Sequence, residues 1–200
     1  GILPAQITAM DRLAFVGASG MGALSFSPTS EYRLASTGDI DLAKLGLEAQ
    51  AFFDGQTEEV LADLVAAGSS GGARPKAQFY ISPDEPDRCR TVARPGDEAW
   101  LVKFTSRNLP LGHEEGLCEA VYLHLAGKLG LEPPEWRLFE APEQSGARAW
   151  LGVKRFDWVS HPQKAGRLHM HSACGLLDAD FRTPSLDYED LIKASRHLCR

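Results

Sequence analysis

The residues of this chain best suited to chemistry are lysines set among apolar or glycine neighbours. Lys103 lies in Trp100-Leu101-Val102-Lys103-Phe104, an alternating strand pattern that puts Leu101 and Lys103 on one face. A lysine on an inward face needs a charged partner, because burying the ammonium alone is costly. Glu114, Glu115 and Glu119 follow on a helical stretch, and Glu115 and Glu119 share a helix face. A strand lysine oriented by a helix glutamate can hold the phosphate oxygens of a nucleotide. The plainer alternative is a solvent-facing strand lysine with surface acids. The segment from Gly68 to Lys76, Gly-Ser-Ser-Gly-Gly-Ala-Arg-Pro-Lys, adds a second candidate. Its glycines would let backbone amides approach an anion. It matches neither GxxxxGK[ST] nor GxGxxG, and taken alone it reads as a connector. Ser69 and Ser70 are either solvated loop residues or sites of phosphorylation.

Lys154-Arg155-Phe156-Asp157 follows a strand and could present backbone groups to an adenine edge, or be a basic strand end and turn. His169 and His171, with Asp178 and Asp180 beyond, lack the third spaced ligand of a metal site. Cys89, Cys118, Cys174 and Cys199 form no close pairs and read as free structural thiols of a cytoplasmic protein. No Ser-His-Asp or Cys-His arrangement has supporting context.

These groups need elements to position them. The pattern predicts a helix over 7–17, a short strand at 20–26, a loop over 28–38 and a turn of helix at 41–47, with no clear signal at 48–54. Thr57 caps a predicted helix over 57–67, with Glu58 and Glu59 in its first turn and an apolar face of Leu61, Leu64 and Val65. Strands are predicted at 76–81, 99–104, 136–140 and 148–156, the last two joined by a hairpin loop. The proline-rich, charged stretch 82–96 reads as an exposed connection. A long helix over 113–129 carries Leu117, Val121, Leu125 and Leu129 at four-residue intervals and stops at Gly130 before Pro133-Pro134. Residues 157–185 look irregular, and a helix over 186–198, capped by Ser185, follows. The expected fold is α+β: a small amino-terminal subdomain over 1–56, then a protein-kinase-like amino-terminal lobe over 57–200 with a mixed or antiparallel sheet and a long helix.

Composition narrows the function classes. With 27 acidic and 21 basic residues the net charge is -6, which argues against a general polyanion-binding surface. No run of 18 apolar residues spans a membrane, and Gly1 to Ala5 lacks a secretion-signal pattern.

Several blocks together resemble the HipA family of toxin serine/threonine kinases. They are residues 20–26, 69–76, 100–104, 153–157 (Val-Lys-Arg-Phe-Asp), 167–177 and 180–188, in family order over essentially the whole chain. The resemblance implies a small amino-terminal subdomain on a kinase-like core that binds ATP with magnesium and phosphorylates a protein. Aminoacyl-tRNA synthetases are the best-known substrates in the family, the outcome is slowed translation, and the usual partner is a DNA-binding helix-turn-helix antitoxin. It assigns Gly71, Gly72, Ala73 and Lys76 to the phosphate loop and Lys103 to the ATP phosphates, with Glu119 as its helix partner. Lys154, Arg155 and Phe156 become the hinge beside adenine, and Ser69, with Ser70 as its neighbour, the autophosphorylation site that switches the kinase off. The family's D-x-x-x-x-N block is absent: Asp178, Asp180 and Asp187 do not supply it, and the residue five after Asp187 is Ile192. The expectation is therefore a fragment of a longer kinase, with a natural truncation or a non-catalytic regulatory homologue as alternatives. This chain should bind nucleotide weakly or not at all and transfer no phosphate. A competing function is a protein-interaction module acting through residues 1–56, and a third possibility is a generic α+β domain.

Overall fold

The computed structural model describes residues 7–31, 38–57, 74–159, 166–180, 183 and 185–198. The predicted helix over 57–67 and the loop residues Ser69 to Ala73 lie outside them, apart from Thr57. The chain divides into two compact units, residues 1–168 and 169–200.

The first unit is built on a five-stranded sheet, wholly antiparallel, in the order β2-β1-β3-β5-β4. Its strands are β1 (Lys76–Ser82), β2 (Glu85–Arg90), β3 (Glu98–Lys103), β4 (Trp136–Glu140) and β5 (Ala149–Lys154). Period-two alternation gives the sheet two distinct faces. Ala77, Phe79 and Ile81 of β1 and Trp100 and Val102 of β3 point into a core completed by Phe104, Phe139 and Trp150. Trp150 meets the edge of Phe104 at 5.0 Å between ring centroids. Lys76, Gln78 and Tyr80 stand on the opposite face, beside Lys103, Leu101 and Ala99 in register.

Helix α1 (Ala9–Val16) begins at a reciprocal capping box between Thr8 and Asp11. Helix α2 (Leu42–Phe53) starts at Asp41, whose carboxylate accepts the Ala43 and Lys44 amides. It covers the apolar face through Leu45 and Ala49, so residues 40–54 share the core of the sheet. Gly46 allows the contact: a Cβ there would lie 2.1 Å from the Trp150 ring. The segment is a full helix, longer than the single turn expected at 41–47.

Helix α3 (Glu115–Lys128), preceded by a 3-10 turn at Gly112–Glu114, covers part of the other face. The expected apolar stripe is not what it buries. Glu115, Gly116 and Ala120 are buried, while Val121 is 56% and Leu129 80% exposed. Small residues permit close approach to β5: a Cβ on Gly116 would stand 3.4 Å from the Leu151 nitrogen. The leucine stripe consequently points away from the sheet.

Two further expectations are corrected. The stretch 82–96 is exposed for most of its length but is not merely a connection, since 85–90 form edge strand β2 and Cys89, Arg90 and Thr91 are buried, as is Asp97 just beyond it. The Arg90 guanidinium meets Asp97 at 2.8 Å, and Asp97 also accepts the Arg94 amide. Pairing within the segment is what lets such a polar stretch go inside. Residues 20–26 form no strand: 20–23 are bends and 24–26 irregular, held by hydrogen bonds from Phe26 N–H to the Gly17 carbonyl and from Gly22 N–H to Asp157.

After β5 a two-stranded ribbon, β6 (Trp158–Val159) with β7 (Gly166–Arg167), ends the first unit. The second unit contains α4 (Ala173–Leu176), capped by Ser172, and α5 (Tyr188–Leu198). Asp187, not Ser185, serves the start of α5 by accepting the Asp190 amide at 3.0 Å. Among the described residues no helix is long and apolar enough to cross a membrane.

Candidate functional site

Strands β1 and β3 place Lys76 and Lys103 directly opposite each other, on the face that α3 partly covers. Like charges facing across a ladder repel, and α3 answers with two acids one turn apart. Lys103 pairs with Glu119. Arg74, just ahead of β1, places its Nε 2.6 Å from buried Glu115 and its Nη1 3.6 Å from Glu119. The groups line a cleft of about 580 Å³, closed on its other sides by Leu111, Cys118 and Tyr122.

Three cations therefore face two carboxylates. Among the described residues both carboxylates pair with Arg74 or Lys103, and Lys76 forms no ion pair. Burial first, then the neighbouring charges of Lys103 and Arg74, hold the Lys76 ammonium below the usual lysine range. Glu119, already paired with Lys103, acts on Lys76 as well, and among the described residues the site has one cationic charge in excess. Its chemistry is that of an anion receptor, with a lysine held rigid by a helix glutamate.

The family described as HipA-like C-terminal domain matches residues 68–200, from the glycine-serine loop to the last residue. The chain belongs to the HipA-like family. No curated protein and no solved structure matches it.

In this HipA-like chain the expected site residues are distributed unevenly. Lys76, Lys103 and Glu119 come together in the cleft. Ser69, Ser70, Gly71, Gly72 and Ala73 lie outside the described residues. Lys154 is opposite Trp100 in the register, so it stands on the other sheet face from Lys103. Its ammonium is clamped by Glu98 at 2.6 Å and Glu135 at 2.8 Å. Burial pushes it down, but the hydrogen bonds of Glu135 and Glu98 outweigh that and raise it above the usual lysine range. Arg155 is buried and bound to Asp157 and Gln78. Phe156, between two inward-pointing residues, is 64% exposed. The amides of Lys154 and Arg155 already donate to the carbonyls of Glu135 and Ala99.

Among the described residues no group of three His, Cys, Asp or Glu side chains is placed to hold a metal. His169 and His171 present their rings 6.1 Å apart. Sequence reasoning gave no role to Arg74. Its signal was weak, because a loop arginine before a proline has no period from which to read its direction.

Proposed function

We propose that this chain supplies the ATP-binding face of a HipA-like serine/threonine protein kinase. The cleft is the observation that carries the proposal: Lys103 held by Glu119, with Lys76, which forms no ion pair among the described residues, across the ladder and Arg74 beside it. In this reading the antiparallel sheet with α3 on its face corresponds to a kinase-like amino-terminal lobe, where a strand lysine and a helix glutamate form an ion pair next to the nucleotide. Lys103 and Lys76 donate to phosphate oxygens, and Glu119 fixes the direction of Lys103. The family resemblance assigns Gly71, Gly72 and Ala73, just ahead of Arg74 in the sequence, to the phosphates as well. Phe156, whose side chain is exposed after β5, takes the adenine contact of the hinge formed with Lys154 and Arg155. Magnesium bound to the nucleotide would offset phosphate charge beside Lys76 and Lys103.

The family assignment extends the proposal to a protein hydroxyl as acceptor, with an aminoacyl-tRNA synthetase as substrate, a helix-turn-helix antitoxin as partner and Ser69 or Ser70 as a regulatory phosphorylation site. The chain's sole asparagine, Asn108, has lysine rather than aspartate five residues before it, so these 200 residues contain no D-x-x-x-x-N. In this reading they hold nucleotide weakly and do not by themselves transfer phosphate.

The test is calorimetric titration of Mg-ATP into the chain and into Lys103→Ala. A charge-assisted hydrogen bond to phosphate contributes about 1.5–3 kcal/mol, so affinity should fall roughly ten- to hundredfold. Equal binding by both proteins would remove the cleft from the proposal.

A further inference from the structure

Asp157 is a fully buried acid that the phosphate cleft does not use. Its Oδ2 accepts the Gly22 amide at 2.7 Å and Arg155 Nη2 at 2.6 Å, and its Oδ1 accepts Arg155 Nε at 3.0 Å. The third edge of the same guanidinium donates from Nη1 to Gln78 Oε1 at 2.6 Å. Gln78 is a β1 residue on the cleft face, two positions after Lys76 and opposite Leu101, which is two positions before Lys103. One buried polar chain thus runs from an amino-terminal turn, through Asp157 and Arg155, to the strand that carries a cleft lysine.

The turn is held from a second side. Arg167 Nη1 donates to the carbonyls of Ala18 at 2.9 Å and Gly20 at 3.0 Å. Gly22 has φ +82°, a conformation that favours glycine, and presents its N–H to the carboxylate. A buried charge network of this kind has few alternative arrangements, because displacing any member strands another without a partner. A continuous hydrogen-bonded chain of this sort is a physical route along which two sites can be coupled.

We infer that Asp157 and Gln78 are positioning residues of the cleft, joining the amino-terminal turn at Gly20–Gly22 to strand β1 so that the two move as one element. The consequence is regulatory. Anything that pulls the turn away from Asp157, such as a partner bound to residues 8–31, loosens Arg155 and with it Gln78 and Lys76. By reciprocity a ligand that orders β1 tightens the turn. The nucleotide arm of this inference rests on the proposed ATP site, whereas the structural coupling does not.

Amide hydrogen exchange by NMR on the whole chain tests the coupling without ligand. In Gln78→Met the Gly22 amide should exchange about tenfold faster, with β4 amides Leu138–Glu140 unchanged. Gln78→Glu, which keeps an acceptor for Arg155, should restore the protection. If Gln78→Met does not fold, Asp157→Asn is read in the opposite direction and should speed exchange at Phe79 and Tyr80 relative to β4. Unchanged Gly22 exchange in Gln78→Met, or an equal rise at Gly22 and in β4, overturns the inference. So does β1 exchange in Asp157→Asn that stays in step with β4. Mg-ATP titration then separates the two ideas. Weaker binding in Gln78→Met and recovery in Gln78→Glu support the positioning role, and equal binding by all three refutes it for the cleft. If the native chain binds no ATP, the site proposal fails while the exchange result still decides the coupling.

Discussion

Replacing Gly46 with alanine separates local helix preference from tertiary packing, because the two predict opposite signs. Gly46 lies inside α2, where alanine is favoured over glycine by about 1 kcal/mol. On propensity alone the variant is more stable. The new methyl would sit 2.1, 2.4 and 2.7 Å from three atoms of the Trp150 six-membered ring. Carbon atoms pack at about 3.5 Å or more, so the closest contact is about 1.4 Å too short. The indole cannot yield easily, since Trp150 is fully buried and braced by the edge of Phe104. Helix α2 must lift instead, which opens the seat of Leu45 and Ala49. Overpacking of this kind costs about 3 kcal/mol at the upper end, leaving a net loss of about 2 kcal/mol after the helix gain. Urea unfolding followed by tryptophan fluorescence should show the midpoint falling by about 1 M for a slope near 2 kcal/mol/M. A midpoint equal to or above that of the native chain would refute the packing of α2 on the sheet.

Lys76→Met should stabilise the ligand-free protein at neutral pH while weakening phosphate binding. The folded state lowers the Lys76 pKa, so it disfavours the charged form; stability should rise with pH between the depressed folded value and the ordinary lysine value, and the variant should lose that rise in alkaline urea titrations. The thiols should separate by reactivity: burial, with Asp41 adding to it, pushes Cys89 up to about 12, whereas half-buried Cys118 lines the cleft. Maleimide labelling read by mass spectrometry should modify Cys118 in the native chain and Cys89 only on unfolding, and Mg-ATP should slow the Cys118 reaction. Labelling of Cys89 as fast as Cys118 would contradict its buried position.

Elements whose apolar residues carry the burial were legible in the sequence. Alternation marked β3, apolar runs marked β1, β4 and β5, and the turn between β4 and β5 marked a hairpin that the register confirms. Strand β2 was hidden because Arg90 and Asp97 are buried as partners, and pairing over seven residues leaves no hydrophobic period. Helix α2 was underestimated because its interior glycine lowers local preference while serving the Trp150 contact. In α3 the four-residue leucine repeat was real, but Glu115, Gly116 and Ala120 define the buried side. Small residues at a close interface leave no hydrophobic signal.

The candidate site divides along the same line. The Lys103–Glu119 pair was legible, since strand parity and helix spacing each constrain one partner. Lys154 looked equally cationic, yet its face depends on the register of β5 against β3. A single-residue shift reverses the face, and the sequence does not state the register. The buried Arg155–Asp157 pair lay within the quoted Val153 to Asp157 block, but its partners Gln78 and Gly22 are 77 and 135 residues away in sequence. Contacts that distant follow from topology rather than pattern.

The most direct test of the nucleotide-binding cleft is a heteronuclear NMR titration of the labelled chain with Mg-ATP, alongside tripolyphosphate and adenosine. The account predicts saturable shifts at Lys76, Lys103 and Glu119 with ATP and tripolyphosphate, and their loss in Lys103→Ala. Shifts confined to other surfaces, or cleft shifts that persist unchanged in Lys103→Ala, would contradict it.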